Sequence, residues 1–77
     1  MKLDLHGKYH HDISNFVDQF IWEAMKSKEH QIEIITGNSE KMKELVIEIV
    51  KDYNFKYQIG DASNNGYVKV YLYDYII

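Results

Sequence analysis

The 77-residue chain has no cysteine, no arginine and no proline, and only four glycines. Without cysteine it can build neither a disulfide scaffold nor a thiolate metal site, and it suits a reducing compartment. All nine basic side chains are lysines, set against twelve acids for a formal net charge of −3. That balance argues against tight, non-specific nucleic-acid binding, because phosphate affinity comes from basic side chains and arginine is the usual bidentate partner. No apolar run approaches the length of a bilayer-spanning helix. Lys2 leads straight into an alternating segment with no apolar leader before it, which predicts a soluble, cytoplasmic protein. Internal repeats, low-complexity stretches and linkers are lacking too, so residues 1–77 read as one domain. A fold this small buries only roughly 60% of the surface its unfolded chain exposes, so it depends on one compact core.

What is present centres on Leu3-Asp4-Leu5-His6-Gly7, an alternating run that reads as a short strand stopped by glycine. Side chains two apart on a strand share a face, so Leu3 and Leu5 point to the core while Asp4 and His6 point the other way. A carboxylate within reach of an imidazole is the arrangement a general acid/base histidine needs. Gly7 permits a sharp turn and close approach of a ligand. The same Asp-x-His spacing also occurs as a plain polar strand end.

Downstream, Asp12 stands as an N-cap before Ile13, Phe16, Val17, Phe20, Ile21, Ala24 and Met25, the buried stripe of one helix, with Trp22 half-buried at its border. Gln31 to Thr36 alternates as a second strand, Ile32 and Ile34 on one face, Glu33 and Ile35 on the other, until Gly37 breaks it. Asn38 or Ser39 caps a second helix whose stripe is Met42, Leu45, Val46, Ile49, Val50 and Tyr53. Its opposite side, Glu40, Lys41, Lys43, Glu44, Glu48 and Lys51, reads as solvated. Phe55 to Ile59 is a third strand, and a polar loop from Gly60 to Gly66 leads into a fourth from Tyr67 onward. Strand, helix and strand at this spacing imply a crossover between parallel strands, and the last two strands imply an antiparallel hairpin. The expected fold is an α+β two-layer sandwich of order βαβαββ, a mixed four-stranded sheet with both helices on one face. The open face would carry Lys2, Asp4, His6, Glu33, Ile35, Lys69, Tyr71 and Tyr73. Ile13, Phe16, Phe20, Leu45, Ile49, Leu5, Ile34, Val68 and Val70 should share one core.

Ligands collect beyond the carboxyl ends of parallel strands, and that rim brings His6-Gly7 to Thr36-Gly37-Asn38-Ser39. The second segment enters a helix, so its amides and the positive end of the helix dipole favour an anion such as a phosphate. The plainer use of Thr-Gly-Asn-Ser is a turn followed by a cap. His6, His10, His11 and Asp12 can be drawn as a metal cluster, but Asp12 has a capping role and no ligand spacing recurs, so no metal site is assigned. Tyrosines on the last strand suit base stacking, and equally suit an ordinary exposed sheet or a protein interface.

Three segments together resemble the small MutS-related (Smr) domain family: Leu3-Asp4-Leu5-His6-Gly7, Ile35-Thr36-Gly37-Asn38-Ser39 and Gly66-Tyr67-Val68-Lys69-Val70, a likeness running from Leu3 to Leu72. The resemblance implies the fold of the C-terminal domain of translation initiation factor three. It also implies nucleic-acid binding, with endonuclease activity in many members, and puts Asp4 and His6 in the catalytic places. Two departures stand out. Ser39 occupies the second glycine of the family's usual T/H-G-x-G, and the rim has no arginine. The expectation is an Smr-like endonuclease on RNA or single-stranded nucleic acid, with Asp4 and His6 catalytic. Gly7, Lys8, Thr36, Gly37, Asn38 and Ser39 would hold the phosphate, and Lys69 and Tyr71 the rest of the strand. No cofactor is expected, and a divalent-metal requirement stays open. The alternative is a non-catalytic adaptor or decoy that binds a protein partner or a second copy through the open sheet; neither reading involves a membrane.

Overall fold

Each alternating segment finds a strand partner, and the order of pairing decides where the rim lies. A computed structural model describes residues 1–61 and 63–72. The elements are β1 (Lys2–Asp4), a 3₁₀ turn (His10–Asp12), α1 (Ile13–Lys26), β2 (Gln31–Ile35), α2 (Glu40–Asp52), β3 (Lys56–Ile59) and β4 (Tyr67–Tyr71). β1 runs parallel to β2, and β4 lies between β2 and β3, antiparallel to both, giving the sheet order β1-β2-β4-β3. The α+β architecture expected from the periodicities is therefore the one observed, with the carboxyl ends of β1 and β2 side by side.

One face of the sheet supplies Ile32, Ile34, Val68 and Val70 to a single core with Leu5, Leu72 and the buried faces of both helices. From α1 come Ile13, Val17, Phe20, Ile21 and Ala24, and from α2 come Met42, Val46 and Val50. Leu45 and Ile49 are half-buried against that cluster. The other face carries three cross-strand rows, Lys2–Glu33–Lys69–Gln58, Asp4–Ile35–Tyr67 and Gln31–Tyr71–Lys56. Tyr73, assigned by alternation to this face, lies outside the described residues.

Five expectations need correction. Met25, placed in the buried stripe of α1, is 38% exposed at the helix's last turn, beyond the buried residues that end at Ala24. Phe16 is 37% exposed rather than core, because it lies about 100° around the helix from Val17, just past the border of the buried arc. Its ring instead lies 5.0 Å beneath the Lys8 ammonium. Trp22 is 64% exposed, farther round still. Lys43, placed by pattern on the solvated side, is only 5% exposed, with its ammonium 3.5 Å from Glu40 Oε1. A lysine flanking an apolar stripe lays its methylene stem along the core's edge, and here the covered ammonium is met by the Glu40 carboxylate one turn back. Asp12 makes no side-chain cap, because the 3₁₀ turn runs continuously into α1 and leaves Asp12 already helical, its carboxylate 3.5 Å from His11 Nε2. Ser39, by contrast, caps α2 as expected, its Oγ accepting the Met42 amide at 3.1 Å.

Candidate functional site

The first strand is shorter than its alternation suggests. β1 ends at Asp4, whose Oδ1 accepts the main-chain N–H of His6 at 2.9 Å. Aspartate competes well for the amide two residues on, and that bond turns the chain out of the sheet before His6. Lys8 N–H then closes the turn on the Leu5 carbonyl at 3.0 Å, and Gly7 takes the left-handed conformation, φ +81°. Asp4 thus holds the backbone of His6 and makes no bond to its ring, which corrects the expectation that the carboxylate orients the imidazole.

The imidazole lies instead on the second segment. A side-chain carbon placed on Gly37 would sit 3.3 Å from His6 Cδ2, so the ring rests against the glycine backbone. Gly37 is also left-handed, φ +67°. Gly37→Ala should cost about 1–2 kcal/mol from the backbone alone and displace the ring; a lowered thermal midpoint together with shifted His6 ring resonances would check both parts.

A third segment holds the second in place. Thr36 and Gly37 both donate their main-chain N–H to the Gly66 carbonyl, each at 2.9 Å, and Thr36 Oγ1 donates to the Gly37 carbonyl at 3.1 Å. The Ile35–Tyr67 register dictates this, because the next antiparallel pair outward is Thr36 with Gly66. The amide of Gly37 is therefore committed to the fold, whereas those of Asn38, Ser39, Glu40 and Lys41 make no hydrogen bond among the described residues. Ser39, Glu40 and Lys41 supply the unpaired donors of the N-terminus of α2, where the helix dipole is positive, and Asn38 precedes them in the turn.

A family model described as the Smr domain matches residues 3–73. The chain belongs to the Smr domain family. Searches of curated proteins and of solved structures each returned no significant match.

Around this Smr rim the predicted contacts are spread unevenly. His6 lies against Gly37, within the run Thr36-Gly37-Asn38-Ser39; Lys8 is drawn over Phe16; Lys69 and Tyr71 lie on the open sheet, Lys69 beside Glu33 and the Tyr71 hydroxyl donating to Gln58 Oε1 at 3.2 Å. Glu33 is shared between Lys2, 3.8 Å away, and the Lys69 side of its row. The histidines drawn as a metal cluster diverge: His11 stacks on Tyr9 and His10 lines a cavity between the helices. Among the described residues no three His, Asp or Glu side chains gather as metal ligands. That cavity, about 230 Å³ and lined by Ile13, Leu45, Glu48 and Asp52 among others, shares no residue with the rim, and its acids disfavour a phosphate.

Sequence reasoning missed two contributors. Lys43 brings a buried-stem cation to the first turns of α2, and its only signal was its position one residue from Met42 on the stripe's edge. The loop before β4 is built on Asp61, whose carboxylate accepts from Ser63 N–H, Ser63 Oγ, Asn64 N–H and the Tyr67 hydroxyl. Those bonds, the Ser63 and Asn64 amides foremost, hold the Asp61 carboxyl below the usual carboxylate range, while partial burial and then Asp61 itself push the Tyr67 phenol up. A carboxyl lowered in the folded state contributes stability above its unfolded value and loses it only as pH falls through the lowered one, so the loop stays formed at neutral pH. The signal was the Asp-x-Ser-Asn spacing typical of side-chain-to-backbone turns.

Proposed function

We propose that this Smr domain binds RNA or single-stranded DNA along the rim and open sheet, and cleaves a phosphodiester beside His6. The observation that carries the reading is the His6 imidazole lying against Gly37, next to the undonated amides at the start of α2. Non-bridging phosphate oxygens would accept from Asn38 and Ser39 N–H, with the helix dipole and the Lys43 ammonium offsetting charge. The imidazole then stands beside the reacting group, where it takes a proton from the attacking hydroxyl or returns one to the leaving oxygen. Asp4 supports this through the turn, by fixing where His6 leaves the sheet. Lys8 adds charge once it leaves Phe16, a contact of about 0.5–1 kcal/mol at an exposed site. Ser39 in the glycine position serves as the helix cap, its hydroxyl already engaged with Met42, so the amides rather than the hydroxyl face the ligand.

Lys69 and Tyr71 extend the surface away from the rim. The Tyr71 phenol is tied to Gln58, which limits the ordering needed before a base stacks on it. Binding of labelled single-stranded RNA and DNA at low and moderate salt, followed by cleavage with and without a divalent metal, tests the proposal. Affinity should be modest and fall with salt, since few lysines face the strand, and Tyr71→Ala should cost about 1–3 kcal/mol of binding. Absence of binding even at low salt would overturn the reading in favour of an interaction module. Docking of a protein or a second copy around Ile35 and the tyrosines should then tolerate salt.

A further inference from the structure

We infer that Asp61 is a positioning residue for His6, acting from the β3–β4 hairpin loop through the Gly66 carbonyl. The inference rests on the proposed role of His6 but on a different set of contacts. Asp61 gathers the loop: its Oδ1 accepts from Ser63 N–H at 2.9 Å, Ser63 Oγ at 3.0 Å and Asn64 N–H at 2.8 Å, and its own N–H returns to the Asn64 carbonyl at 2.8 Å. Its Oδ2 accepts the Tyr67 hydroxyl at 3.1 Å, which ties the loop to the first residue of β4. The loop closes tightly over Gly60, where an added side-chain carbon would run into the Asn64 carbonyl oxygen.

So fixed, Asn64 presents its Oδ1 to the Gly66 N–H at 2.9 Å. Gly66 in turn receives Thr36 and Gly37 through its carbonyl, and Gly37 is the surface on which the imidazole rests. Each link joins direct neighbours, so the path from Asp61 to His6 is continuous. The loop has no apolar side chain among its described residues; its base is held by Gly60 N–H on the Tyr67 carbonyl at 2.8 Å and Gln58 Nε2 on the Gly60 carbonyl at 3.0 Å, and the Asp61 hydrogen bonds organise the residues between. Without them Asn64 and Gly66 can reorient, and Thr36 and Gly37 lose the common acceptor that sets the floor under His6.

Amide hydrogen exchange and ring NMR of the whole chain, carrying Asp61→Ala or Asp61→Asn, test this coupling. Asp61→Ala should speed exchange at Thr36 and Gly37 by about tenfold, the loss expected for one net hydrogen bond, and move the His6 ring resonances while Ile34 and Val68 keep their protection. Asp61→Asn should restore most of both, because its Oδ1 still accepts from Ser63 and Asn64. Where the chain cleaves nucleic acid, Asp61→Ala should lower kcat about tenfold with KM within about threefold. Asn64→Ala, which removes only the acceptor for Gly66, should give the same pattern and serves if Asp61→Ala fails to fold. Unchanged Thr36 and Gly37 exchange and unchanged His6 resonances in folded Asp61→Ala would overturn the inference, as would Asp61→Asn behaving like Asp61→Ala. A chain that shows the coupling yet cleaves nothing would refute the nuclease reading and leave the coupling of Asp61 to His6 intact.

Discussion

His6→Ala should lower cleavage of single-stranded RNA or DNA by about 10²- to 10⁴-fold, the range a positioned general acid or base contributes, and leave the thermal midpoint nearly unchanged. The side chain is exposed at the rim and belongs to no part of the core, so its removal takes a proton-transfer group without opening a cavity. Full activity in this variant would remove His6 from the chemistry. Asp4 separates two roles that its place in the turn makes distinct. If the carboxylate acts only by accepting the His6 amide, Asp4→Asn keeps an acceptor oxygen and most of the activity, whereas Asp4→Ala loses about tenfold with the hydrogen bond. Equal losses in the two variants would assign the role to charge instead. The 2.9 Å bond from His6 N–H to Oδ1 favours the first outcome.

The fold was legible because its two periods are unmixed. In β2 and β4 the alternation Ile32/Ile34 and Val68/Val70 is uninterrupted, and each helix carries a single apolar stripe, so the layer assignment follows from the sequence. Periodicity locates the centre of a buried arc better than its edges. Phe16 and Lys43 both sit at such an edge, and what settles them is tertiary: Phe16 is covered by an ammonium, and Lys43 lies along the core by its stem. Neither outcome is encoded in hydrophobicity alone.

The rim was legible for a different reason. Parallel strands end on the same edge, so His6 and Gly37, some thirty residues apart, had to meet once β1 and β2 were recognised. What could not be read was the fate of individual hydrogen-bonding groups. Alternation puts the Asp4 and His6 side chains on one face, but the competing local bond from the His6 amide ends the strand first. The commitment of the Gly37 amide depends on β4 inserting beside β2 in the Ile35–Tyr67 register, a fact of pairing that no local segment carries.

Leu5→Ala should be the most destabilising change near the site, and it should damage function by a route opposite to that of His6→Ala. Leu5 is fully buried between two exposed site residues, donates its N–H to the Ile35 carbonyl at 2.8 Å and accepts Lys8 N–H through its own carbonyl at 3.0 Å. Its side chain is the point at which the Asp4–Gly7 turn is anchored to the core. Truncating a buried leucine costs about 2–5 kcal/mol through lost burial and the cavity left behind. A chain of 77 residues holds only about 4–12 kcal/mol in total, so the loss is a large share. The thermal midpoint should fall by about 10 °C or more. Cleavage measured well below the new midpoint should also fall, because the turn that presents His6 to Gly37 has lost its anchor, whereas His6→Ala lowers cleavage with the midpoint held. A wild-type midpoint in Leu5→Ala would mean that the turn is not seated on the core through this side chain, and the link from core to rim would have to run through the β1–β2 hydrogen bonds alone.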